Sequence, residues 1–89
     1  MHDFRAMAIF AEVIKQQSMQ QAAKQLGLTT STVSLAISKL EQQHKIKLLN
    51  RTTRRLAATN AGEAFYQACL QMLSGAERAH QVLEQQKQD

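Results

Sequence analysis

Two groups of side chains in this sequence have types and spacing that could do chemistry. Thr29, Thr30, Ser31, Thr32, Ser34 and Ser38 crowd six hydroxyls into ten residues. Lys39, Lys45, Lys47, Arg51, Arg54 and Arg55 then follow within residues 39–55, with Glu41 as the lone acid among them. Hydroxyls donate or accept at base edges and phosphate oxygens, and cations neutralise phosphates, so together they point to nucleic acid. The charge is local. The whole chain carries +4 in 89 residues, and outside that window five basic residues face six acidic ones.

The same inventory speaks against other chemistries. His2, His44 and His80 are scattered without ligand spacing, so no metal site is expected. Cys69 has no evident base, the three glycines form no phosphate loop, and the carboxylates read as helix surface; no catalytic residue and no cofactor are expected. A lone cysteine excludes an intrachain disulfide, and its place on an apolar stripe suits a buried thiol. No apolar run approaches the ~20 residues of a membrane span, no basic amphipathic helix suits a membrane surface, and no signal peptide is visible. The expectation is a cytoplasmic protein, nucleoid-associated when bound to DNA, with no membrane partner.

The elements that would position the hydroxyls lie in residues 18–40, which read as helix, turn, helix. Ser18 with Gln21 three positions on is a capping-box start, and Ala22, Ala23 and Leu26 give a small apolar face. Gly27 ends that helix. Thr29, Thr30, Ser31 and Thr32 are all candidate caps for the next one, which is expected to run to about His44. At about 100° per residue, Val33, Ile37 and Leu40 share one stripe, and Ser31, Leu35, Ser38 and Gln42 share the opposite one, flanked by Thr32, Ser34 and Lys39. That outward face has no acid. Short hydroxyls, an amide, one Lys and one exposed Leu suit a helix pressed into a DNA major groove.

Around this motif, Phe4–Gln16 reads as an amphipathic helix capped by Asp3, with Phe4, Met7, Phe10, Ala11 and Ile14 as core. Residues 46–50 and Leu56–Ala58 read as two short strands flanking Arg51, Thr52, Thr53, Arg54 and Arg55, a hairpin with a basic tip. From Thr59 a helix is expected to about Gln86. Phe65, Cys69, Met72, Ala76, Ala79 and Leu83 alternate four and three apart along it, the seam of a coiled coil, and Tyr66, Leu70 and Leu73 make a second stripe. Such a helix cannot bury both stripes on so small a domain. With four aromatic residues and no Trp the core is thin; one stripe is expected to pack on the chain's own domain while the other, taken as the seam residues, meets the same helix of a second chain.

In this order the segments Ser-Met-Gln-Gln-Ala-Ala-Lys-Gln-Leu, Val-Ser-Leu-Ala-Ile-Ser-Lys-Leu-Glu, Leu-Leu-Asn-Arg-Thr-Thr-Arg-Arg-Leu and Thr-Asn-Ala-Gly-Glu resemble the N-terminal domain of LysR-type transcriptional regulators, over residues 3–84. Residues 50–54 resemble the subset with an Asn-Arg-Thr-Thr-Arg wing. The resemblance implies a mainly α fold: a winged helix-turn-helix with a short β-hairpin wing over residues 1–58, its helix-turn-helix at about 19–38, and a long C-terminal linker helix over 59–89 that dimerises. It also implies a C-terminal domain sensing a small-molecule co-inducer, which is not within these residues; the polar tail is expected to be a frayed end or a truncated linker, which favours an excised fragment over a naturally short form.

Carried over by position, the resemblance places DNA contacts at Thr30, Ser31, Ser34 and Leu35 and at Arg51, Thr53 and Arg54. Thr32, Ser38, Lys39 and Arg55 join them from the reading of the faces. Ser31 stands where many members have Pro, Thr30 where many have Gln and Leu35 where Arg is common, which shifts base reading from amides and guanidinium towards thymine methyls. Lys45 replaces a frequent Gly and puts the usual left-handed helix end in doubt. The expected partners are a second copy of the chain and double-stranded DNA carrying an interrupted palindrome with A·T-rich half-sites. The alternative is a helical interaction module whose basic hairpin meets an acidic protein.

Overall fold

In the computed structural model, residues 3–52 and 56–87 are described, and among them four helices and one antiparallel hairpin follow in the order α1, α2, α3, β1, β2, α4. Each helix start is set by a short polar side chain. α1 (Phe4–Gln16) begins where the Asp3 carboxylate accepts the Ala6 N–H at 2.9 Å, and α2 (Met19–Leu26) where Ser18 accepts the Gln21 N–H at 3.1 Å. Of the four candidate caps for α3 (Thr30–His44), Thr29 is the one used: its hydroxyl accepts the Thr32 N–H at 3.1 Å. These bonds satisfy amides that a helix start leaves without a partner.

Each of these three helices ends in a left-handed residue. Gly27, at φ +69°, closes α2 and turns the chain so that the Leu28 N–H donates to the Ala23 carbonyl at 2.9 Å. Gln17 and Lys45 do the same for α1 and α3 at φ +54° and +53°, although both carry a Cβ that disfavours this region. The doubt raised by Lys45 is thereby resolved. The reversal is kept without glycine, and the Ile46 N–H donates to the Glu41 carbonyl at 3.1 Å.

The three helices enclose a small core in which Phe10, Val13, Val33, Ile37 and Leu49 are fully buried. Ala22 and Ala23 let α2 approach its neighbours closely. The core does not stop at residue 58. Cys69 of α4 (Asn60–Lys87) is at 0% exposure within it, and the Phe65 ring tilts at 54° onto Phe10 with centroids 5.2 Å apart.

The first strand is shorter than the apolar run suggested. β1 (Leu49–Arg51) pairs with β2 (Leu56–Ala58) in the register Leu49 to Ala58, Asn50 to Ala57 and Arg51 to Leu56. Residues 46–48 are outside the strand because their polar groups are taken elsewhere. The Glu41 carboxylate accepts the Leu48 and Leu49 N–H groups at 2.8 and 3.2 Å, and the Lys47 and Leu48 carbonyls accept from the Thr59 hydroxyl and N–H at 2.6 and 3.0 Å. Thr59 also accepts the Gly62 N–H at 3.0 Å and so starts α4. Gly62 lies so close to the Leu48 carbonyl that a Cβ there would collide with it.

The left-handed turn at Lys45 is a built-in stability cost that glycine would remove. Lys45→Gly is expected to raise the unfolding free energy by up to about 1 kcal/mol, since the strain of a Cβ at positive φ outweighs the extra chain entropy of glycine. A thermal melt followed by circular dichroism reads this as a higher midpoint; an unchanged or lower one would contradict it.

Candidate nucleic-acid interface

The stripe of α3 opposite the core is the outer surface of the motif. Thr30, Ser31, Leu35 and Lys39 are exposed on it, Leu35 at 69%, and Thr32, Ser34 and Ser38 are half-buried along its edges. Glu41 lies on the same helix but on the flank turned to the hairpin, so the outward stripe itself carries no carboxylate. Its polar inventory is hydroxyls, the Gln42 amide and the Lys39 ammonium, a set that can donate to phosphates and either donate or accept at bases.

The wing stands against one flank of this helix, held at two points. At the C-terminal end the Glu41 carboxylate grips the start of β1. Nearer the N-terminal end the Arg51 guanidinium donates to the Ser34 hydroxyl at 3.1 Å. Ser34 and Glu41 are seven residues apart, about 10 Å at roughly 1.5 Å per residue, and Leu48 to Arg51 covers about the same length at roughly 3.3 Å per extended residue. β1 therefore runs back along α3, and Arg51 arrives, exposed, beside the second turn of the hydroxyl face. Thr53, Arg54 and Arg55, also predicted to contact DNA, lie outside the described residues.

Two residues that build this site were missed from the sequence. Glu41 was visible only as the one acid in a basic window, and Thr59 only as the start of a helix. An acid that persists among six cations was the available signal for the first; nothing local signals that the Thr59 hydroxyl reaches Lys47.

The seam expected to form a dimer divides in two. Cys69 is fully buried in the chain's own core and is a core residue with no surface to offer a second chain, while Phe65 is half-buried with its ring against Phe10. Burial also pushes the Cys69 thiol up to about 11, so it is protonated at neutral pH. Met72 is half-buried, and beyond it Ala76, Ala79 and Leu83 are exposed, Leu83 at 60% beside Val82 at 53%. Leu70 and Leu73 of the second stripe are also exposed. Among the described residues no group of three or more His, Cys, Asp or Glu could hold a metal, and no helix is long and apolar enough to cross a membrane.

With this geometry in hand, similarity to known proteins is informative. Residues 4–63 match the family described as bacterial regulatory helix-turn-helix protein, lysR family. The chain is 40% identical over 83 residues, 93% of its length, to the HTH-type transcriptional activator AaeR of Escherichia coli K12. It is 44% identical over 73 residues, 82% of its length, to the probable HTH-type transcriptional regulator LtrA of Klebsiella pneumoniae. It spans 27% and 24% of those two proteins, about a quarter of each. Among solved structures it is similar to BenM_DBD in complex with catB site 1 DNA, with a TM-score of 0.88 and 28% identity over 94% of this chain and 93% of that one. It is also similar to CbnR_DBD in complex with DNA, with a TM-score of 0.83 and 28% identity over 93% of this chain and 95% of that one.

The Glu41 clamp has a measurable consequence. Glu41→Ala leaves two partly buried amides without their acceptor and is expected to cost roughly 2 kcal/mol of stability, whereas Glu41→Gln keeps an acceptor oxygen and loses less. Urea unfolding of both variants checks the order; equal losses would show that the two hydrogen bonds carry little of the stability.

Proposed function

The chain belongs to the lysR family of bacterial regulatory helix-turn-helix proteins and is a winged DNA-binding domain of that family; from this premise we propose that it works as a homodimer on an interrupted palindrome in the bacterial cytoplasm. The observation that carries this reading is the acid-free outer stripe of α3 with the Arg51 guanidinium fastened to its edge. A helix of this kind fits a major groove, and a cation held at its flank meets the adjacent phosphates or minor groove. BenM_DBD and CbnR_DBD, which share the fold at 28% identity, are both described in complexes with DNA, which supports the same use of this surface.

Dimerisation is supported by the length and faces of α4. Its 28 residues span about 42 Å at roughly 1.5 Å each, and only the first half has a domain to lie on. Ala76, Ala79 and Leu83, with Val82 and the outward Leu70 and Leu73, are left to a second copy. A two-fold pair of recognition helices then reaches half-sites about 34 Å apart. In the whole regulator a small-molecule co-inducer acts through residues beyond this domain, and the role is regulatory rather than catalytic.

Titration of A·T-rich duplexes across a salt series tests the reading. A palindromic duplex is expected to bind two chains tightly, a scrambled duplex of equal composition much more weakly, and equal weak binding to both would reject sequence-specific recognition. Arg51→Ala is expected to weaken both and, for the two-chain complex, to lower the slope of log affinity against log salt by about 2, the loss of one phosphate contact per chain. Leu83→Glu is expected to leave the domain folded and shift it to monomer in sedimentation equilibrium; a dimer of unchanged strength would move the interface elsewhere.

A further inference from the structure

Resting on that reading, we propose that Leu35 makes α3 a reader of pyrimidine C5-methyl groups, accepting thymine or 5-methylcytosine at its position and discriminating against uracil and unmethylated cytosine. Leu35 is 69% exposed at the centre of the outward stripe, one turn from Ser31 on one side and from Ser38 on the other. A branched apolar side chain held there contributes nothing to the core. It has no hydrogen-bonding atom, so the feature of a major-groove edge it can favour is the one apolar group displayed there, the methyl on C5 of thymine.

The flanking residues decide that the methyl, rather than the whole base, is what is read. Ser31 and Ser38 carry hydroxyls that rotate to donate or accept. They can serve the O4 acceptor of thymine and the N4 donor of cytosine alike. A carboxylate at either place would select the cytosine amine and an arginine would select guanine. The Glu41 carboxylate, the acid within reach along this helix, is held on the wing side by the Leu48 and Leu49 amides. Binding of this regulator would therefore respond to cytosine methylation at the Leu35 position.

Selection from a random duplex library with the 89-residue protein supplies the preferred site. The thymine contacted in each half-site is then replaced by deoxyuridine, or its T·A pair by 5-methylcytosine·G or by C·G. Uracil is expected to weaken binding about fourfold per half-site and about fifteenfold for the dimer, the loss of one buried methyl in each. The 5-methylcytosine duplex should exceed the cytosine duplex by the same factor. Leu35→Ala, too short to reach the methyl from the same backbone position, should collapse both differences, bringing thymine level with uracil and 5-methylcytosine level with cytosine. Equal binding to thymine and uracil at every position, or discrimination that survives Leu35→Ala, would overturn the proposal and leave the domain a sequence-specific binder. Failure of the library to enrich any site would overturn the underlying reading, and this proposal with it.

Discussion

The Glu41 carboxylate is the interaction on which the geometry of the DNA-facing side depends. The segment after α3 has to leave the helix, turn back and place a two-stranded hairpin beside it, and so short a hairpin has no independent stability. Two amides at its start would point at a helix flank with no backbone partner. One side chain on that flank accepts both, at 2.8 and 3.2 Å. The charge of the acceptor strengthens both bonds. The acid that looks out of place in the basic region is therefore what brings the basic region to the helix.

Thr59 completes the same construction from the other strand. Its hydroxyl donates to Lys47 and accepts from Gly62, so one atom joins the chain before β1 to the first turn of α4. Gly62 then meets the Leu48 carbonyl with no room for a side chain. Hairpin, recognition helix and α4 are thus tied within a few residues of Leu48, which is itself buried. A change in the direction of α4 would be felt at the wing. That is a direct mechanical link between α4 and the hairpin that flanks α3.

What could be read from the sequence was whatever is decided within a turn or two. Asp3 and Ser18 mark their helix starts because a cap acts on an amide three residues away, Gly27 marks an end through its left-handed turn, and the apolar periodicity of α1 and α3 separates inside from outside except at Phe4, which is expected in the core and is 54% exposed. The strand start was misplaced because Glu41 acts seven residues away from Leu48, through space rather than along a periodic pattern. Cys69 of the seam turns inward for a different reason. A four-three repeat states that a helix has an apolar line, and says nothing about whether the line meets its own domain or another chain. Phe10 answers for Phe65, and that contact depends on how α1 packs. Lys45 shows that a left-handed position can be kept by the surrounding bonds when the residue itself resists it.

The division of α4 has a consequence for how small domains of this kind can afford two functions in one helix. Its first half is needed to close a core with few aromatic residues, since Phe65 and Cys69 fill the side of the bundle that α1 and α3 leave open. Cys69 has no surface left to offer beyond that core. The apolar groups that remain exposed lie on the distal half and the second stripe, where Leu and Val stand beside Ala and Gly75, which has open space around it. Small residues there permit close helix approach, while the larger apolar groups at the far end supply the burial. Substitutions beyond Met72 fall on exposed positions, away from the residues that pack α4 against α1 and the wing.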